Sequence, residues 1–265
     1  MAELFKRDYF QLTKDEINQR DALDADRANI VGRRYGGLNP FREYPKAVRH
    51  NMSLFPNNYM DIVELMDTEK LEKQCDEFES LLDNRGITEL GIKQFIQGNG
   101  YYHIPASIFS RYYFGHHEAI LFKEFQLGTS YKADYLLVGC ASGGWQFIWV
   151  EFENPYRDIV INNGDFGNTI RKGLNQIDDW KTFIEENYST ISAEFRKYTS
   201  KMLPNEFHTF DSTRMHYVVV AGRRSDYKDK TRRLQRRLFD ERKIMLLHYD
   251  NILDDARKLI GAQSY

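Results

Sequence analysis

Two acids close an apolar stretch in WQFIWVEFENP, residues 145–155. Glu151 and Glu153 stand two apart, so on a strand both side chains project to one face. Asp134 lies in the preceding β-rich stretch, YKADYLLVGC, residues 131–140. If the two stretches pair through the turn GCASGG at 139–144, Asp134, Glu151 and Glu153 converge. Clustered carboxylates repel one another, and a hard divalent cation relieves that repulsion. Mg²⁺ is typically held by one or two carboxylates, with water and substrate phosphate completing its shell. Such an ion activates water and neutralises charge on a phosphodiester. Acids at strand ends are also commonly just solvated, and the D…ExE spacing alone does not separate these readings.

The elements that must position these acids are legible along the chain. AILFKEFQLG (119–128), YKADYLLVGC (131–140) and QFIWVEFE (146–153) are short, β-rich and bounded by turn residues, which predicts an antiparallel meander. A helix opening at Asn168 carries Ile170, Leu174, Ile177 and Ile184 on one face. Lys172 and Gln176, four apart, face each other elsewhere on it. MHYVVVAG (215–222) reads as a strand covered on both faces. IMLLHYD (244–250) reads as a last strand, with the helix NILDDARKLIGA after it. Upstream, Leu71, Cys75, Phe78 and Leu82 mark a helix over 67–85. Short helices are predicted from Thr88 to the break at 98–100 and over roughly 105–113. Meander, crossover helix and buried strand together predict an α/β fold with a mixed sheet flanked by helices.

Composition sets the frame. The 265 residues are 42% apolar and 29% charged with a net charge of −2, which suits a soluble globular chain and announces no nucleic-acid or membrane partner globally. The N-terminus lacks a signal-peptide apolar region, and no apolar run reaches membrane-spanning length. Cys75 and Cys140 fit buried free thiols in a reducing cytosol, so the expected location is cytoplasmic. The first 50 or so residues, with the turn-rich GRRYGGLNPFREYP at 32–45, read as an arm or loosely packed lead-in.

Other features carry less. GRRSDYKDKTRRLQRRLFDERK, residues 222–243, holds ten Lys/Arg against four Asp/Glu. It fits either phosphate binding or a solvated helix face with its own ion pairs. Arg223 and Arg224, directly after a buried strand, are the best phosphate candidates. His116 and His117 are adjacent and would point to opposite strand faces, so a structural or surface role is expected. Asp165-Phe166-Gly167 lacks every companion motif of a kinase. Asp250 is expected to cap the last helix. Trp180 is expected in the core, and Tyr101, Tyr102, Tyr112 and Tyr113 in packing roles.

The ordered set of strand, hairpin, strand, acid-x-acid and helix with Gln176 resembles the PD-(D/E)xK nuclease superfamily. That superfamily has an Asp on one strand and (D/E)-x-K on the next. More specifically, residues 95–260 resemble the C-terminal domain of the Shedu anti-phage proteins. The resemblance rests on five blocks in order: KADYLLVG around Asp134, WVEFENP, NQIDDW at 175–180, VVVAGRRS at 218–225 and LHYDNIL at 247–253. It implies a restriction-endonuclease-like domain of bacterial defence over 95–265, acting on DNA. A helical regulatory or lead-in region, 1–94, would precede it. Asp134 and Glu151 would match ligands for Mg²⁺ or Mn²⁺, and Gln176 the family's helical glutamine. A homo-oligomer is implied as well.

The chain departs from the superfamily at one position, where Glu153 replaces the lysine. In one reading Glu153 is a third carboxylate for the metal, and another cation, with Lys172 nearest, replaces the lysine. In the other the site no longer cuts, and the domain binds nucleic acid or a phage component and signals by assembly.

Overall fold

A computed structural model describes residues 4–29 and 40–265. In chain order its helices and strands are α1 (Lys14–Asn29), α2 (Lys46–Met52), α3 (Thr68–Asp83), α4 (Glu89–Asn99) and the short α5 (His103–Ala106), then β1 (Glu118–Leu127), β2 (Tyr131–Ala141) and β3 (Gly144–Phe152). They continue with α6 (Asn168–Glu186), α7 (Tyr188–Phe195), β4 (Met215–Val220), α8 (Asp229–Arg242), β5 (Ile244–Leu247) and α9 (Tyr249–Lys258). The five strands lie in one sheet in sequence order. β1, β2 and β3 pair antiparallel, and β3, β4 and β5 pair parallel. The predicted mixed sheet with flanking helices is therefore the observed one. No helix among the described residues is long and apolar enough to cross a membrane.

Strand alternation divides the core in two. Ile148, Val150 and Phe152 of β3 pack with α3, α4 and α9 on one side of the sheet. Phe147 and Trp149 pack with α6 and α7 on the other. Trp180 is fully buried there, as expected. The apolar faces of α3 and α4 belong to the same buried cluster as the sheet, through Leu71, Phe78, Ile92 and Ile96. The boundary drawn at residue 94 falls inside α4.

Several expectations are corrected. Residues 40–50 are not a loose lead-in: buried Arg49 donates to both carboxylate oxygens of buried Asp61, at 2.6 Å for its Nη2. Tyr9 is fully buried and stacks on His50. Charged composition hides this because the charges are paired inside. The turn-rich residues 32–39 lie outside the described residues. The helix expected over 105–113 starts earlier and finishes as a 3₁₀ turn, Ser107–Arg111. Cys75 is buried, but Cys140 is only half-buried. Asp250 does not cap α9. His248 Nδ1 accepts from the Asn251 amide at 3.1 Å while Asn251 Oδ1 accepts from the His248 amide, and Asp250 is left to receive arginines.

The alternation slips once, and the slip creates the site. On β1, Ile120 and Phe122 share a cluster with Phe125 and Leu127, so the even-numbered face becomes odd. On β2, Leu136 and Val138 share that cluster with Ala133. Glu124 sits at the slip with φ +49°, a left-handed conformation that non-glycine residues seldom adopt. The ladder pairs Lys123 with Tyr135 and Phe125 with Ala133, so Glu124 and Asp134 mark one crossing. Both strands lose phase there.

Candidate metal centre

β2 and β3 part at the same place. Their last paired residues are Tyr135 and Val150. Beyond them the Asp134 carboxylate, not a main-chain carbonyl, accepts the Phe152 amide, with Oδ2 at 2.9 Å. β3 stays paired with β4 through Glu151 and Phe152. Glu153, one residue past β3, donates its amide to Val220 and accepts the Tyr249 hydroxyl on its carbonyl at 2.7 Å. The parting strands thus leave three acids at a rigid edge.

α4 supplies what closes this edge. Thr88 caps it by accepting the Gly91 amide, which places Glu89 in the first turn and Lys93 one turn later. Lys93 Nζ donates to Asp134 Oδ1 at 2.7 Å and to Glu89 Oε1 at 2.8 Å. One carboxylate oxygen each from Glu89, Asp134 and Glu151 lie within 4.8 Å of one another. Lys172 Nζ, from α6, lies 3.0 Å from Glu153 Oε2 and 3.6 Å from Glu89 Oε2. Gly173 allows this approach: a Cβ there would sit 2.8 Å from Val219 Cγ1 and 3.1 Å from Glu153 Cγ.

The electrostatics are those of crowded, buried acids. Asp134, Glu151 and Glu153 are all buried. Burial first, then the neighbouring Asp134 and Glu153 carboxylates, push Glu151 up to about 10. Burial also raises Asp134 and Glu153, against the pull of Lys93 and Lys172 respectively. Among the described residues, Glu151 Oε2 and Glu153 Oε1 are buried without a hydrogen-bond partner. An orphaned buried oxygen costs free energy unless something satisfies it. The donor set is all oxygen, which suits Mg²⁺ or Mn²⁺ and not zinc, so the residues present fit such an ion.

The structure brings together four of the residues singled out in the sequence: Asp134, Glu151, Glu153 and Lys172. Gln176 stands one turn beyond Lys172 and makes no hydrogen bond to the carboxylates. It lines an open groove of about 570 Å³ with Arg171, Lys172, Asn168 and, across from α6, Lys132. Arg223 and Arg224 lie apart. Arg223 donates to both oxygens of Asp250 at 2.9–3.1 Å, to the Leu82 carbonyl and to the Tyr156 hydroxyl. Arg224 pairs with Asp254. The basic segment around them forms α8, with Arg237 paired to Glu241 and Lys230 to Asp165, while Arg233 and Arg236 are exposed. His116 and His117 are exposed and in edge contact with each other.

Glu89 and Lys93 were missed in the sequence. Their only local signal is the i,i+4 acid–base spacing on a capped helix, and a surface ion pair has the same spacing. Nothing local says that this helix begins beside Asp134, 41 residues away from Lys93.

Comparison with known proteins identifies the family. The family described as Shedu protein SduA, C-terminal, matches residues 89–253, a span that opens on Glu89 and contains every residue of the carboxylate centre. No curated protein matches the chain. The match covers well over half of the sequence, and the chain belongs to the Shedu SduA C-terminal family of anti-phage defence proteins.

Proposed function

We propose that the chain is a metal-dependent nuclease that hydrolyses DNA phosphodiester bonds. The observation that carries this reading is the convergence of Glu89, Asp134 and Glu151 oxygens within 4.8 Å, with one Glu151 oxygen buried and unpartnered. These three side chains would hold Mg²⁺ or Mn²⁺. When bound, the ion supplies a more acidic water and neutralises charge on the phosphate. Glu153 and Lys172 flank the centre, Glu153 through an oxygen free to accept from water. Gln176 and Arg171 line the groove that leads away from Lys172, where a polar, partly cationic wall suits a phosphate backbone. Asp134 is fixed by the Phe152 amide and so holds one oxygen in place without a substrate.

The acid at position 153 favours a second reading, a module that binds nucleic acid without cutting it. The two are separated by incubating purified protein with supercoiled plasmid and with linear DNA, in EDTA, Mg²⁺ or Mn²⁺, beside Asp134→Ala. Scission that needs the metal and is lost in the variant supports the nuclease. DNA binding without scission, indifferent to metal, supports the module.

A further inference from the structure

We infer that Lys93, from α4, supplies the catalytic cation that the sheet lacks at position 153. This inference rests on the nuclease reading and names a residue of that same centre. Lys172 is the obvious replacement, but its ammonium is spent on Glu153 at 3.0 Å, and its side chain is 58% exposed. Those two charges cancel. Lys93 is only 18% exposed and touches two of the three converging acids, Asp134 and Glu89. Its Nζ lies 2.7 Å from Asp134 Oδ1 and 2.8 Å from Glu89 Oε1, so α4 holds it inside the centre.

The charge balance agrees. With an ion bound, Glu89, Asp134 and Glu151 as carboxylates and Lys93 as ammonium would leave two negative charges, which one divalent cation neutralises. An ammonium has three N–H donors, and Lys93 gives one to Asp134 and one to Glu89. The third is available to a phosphate oxygen or to the attacking water. A donor held by two fixed carboxylates is preorganised for charge that develops during reaction. Position 153 does not need a lysine if α4 delivers one.

The experiment compares wild type, Lys93→Met and Lys93→Met/Glu153→Lys, reading Mn²⁺ binding by calorimetry and plasmid scission in parallel. Lys93→Met is expected to bind Mn²⁺ at least as tightly as wild type, because a competing positive charge is gone. Its scission rate is expected to fall by about 100-fold, as for loss of a charge-stabilising donor. Returning the lysine to the sheet in the double variant is expected to recover about tenfold of that loss. Lys93→Gln gives the same comparison if the methionine variant does not fold. Scission by Lys93→Met at the wild-type rate overturns the inference and leaves the nuclease reading standing. Loss of Mn²⁺ binding together with scission overturns it too, because Lys93 then only supports the ligands. Absence of scission by wild type overturns the nuclease reading and the inference with it.

Discussion

Lys172 Nζ lies 3.0 Å from Glu153 Oε2, so the acid standing where the superfamily carries a lysine brings its own counter-charge. The reversal at 153 is thereby local. It leaves Glu89, Asp134 and Glu151 converging beside Lys93, with Lys172 linking Glu153 to Glu89 at 3.6 Å. The metal-free centre is strained electrostatically, and its stability should show it.

Glu151→Gln is expected to stabilise the metal-free protein. An ordinary glutamate loses its proton near 4.5, whereas folded Glu151 keeps it to about 10. The folded state therefore holds the extra proton between those values. Whatever stability Glu151 contributes is fully present below 4.5 and is lost as pH rises toward 10. At pH 7.5 the glutamine variant should gain roughly 1–3 kcal/mol, in the manner of functional residues kept at a cost in stability. Denaturant melts in EDTA at pH 5, 7.5 and 9 should show the two proteins diverging as pH rises. A constant gap across that range would contradict the assignment.

Gly173→Ala should destabilise, although alanine normally improves a helix interior. The new Cβ meets Val219 at 2.8 Å and Glu153 at 3.1 Å. α6 must shift outward, with an expected loss of about 1–3 kcal/mol from overpacking. Lys172 moves with it, so scission should fall as well. Unchanged or improved thermal stability would show that α6 does not rest on the strand ends.

Asp250→Ala should cost stability more than DNA affinity. Arg223 and Asp250 are a half-buried bidentate pair, 15% and 18% exposed, that ties the end of β4 to α9 and, through the Leu82 carbonyl, to α3. Removing the acid leaves a largely buried guanidinium without its main partner, an expected loss of about 2–3 kcal/mol. If the variant melts like wild type but binds DNA differently, Arg223 is a nucleic-acid contact after all.

Arg171→Ala should weaken DNA binding uniformly across sequences. Arg171 is exposed on α6 and lines the groove beside Lys172. Removing one phosphate-binding cation should lower the slope of log affinity against log salt by about 1. An unchanged slope measured by fluorescence anisotropy would remove the groove from the DNA path.

The acids on β2 and β3 were legible because they lie on strongly patterned strands joined by a recognisable turn. One hairpin is enough to bring the two acids to neighbouring positions on β2 and β3, one residue past the last pair Tyr135–Val150. Lys172 followed from standing one helical turn from Gln176, which the family resemblance had singled out. The rest depends on tertiary placement. Glu124 has no sequence mark of a left-handed residue, being neither Gly nor Asn, so the slip that turns Asp134 toward β3 and α4 could not be read. Lys93 and Glu89 look like an ordinary helical ion pair until α4 is docked. Asp250 looked like a cap by residue type, and His248 took that place because its ring nitrogen reaches the Asn251 amide. The buried Arg49–Asp61 pair read as polar lead-in for the same reason: charge is visible in a sequence, and pairing is not.

The central claim is that the converging acids hold a divalent cation, and calorimetric titration of Mn²⁺ tests it most directly. Wild type, Asp134→Asn and Glu151→Gln would be titrated with all three shown to be folded. The account predicts saturable binding of one ion per chain by wild type, lost in both variants. No saturable binding by wild type, or equal binding by all three proteins, would contradict it.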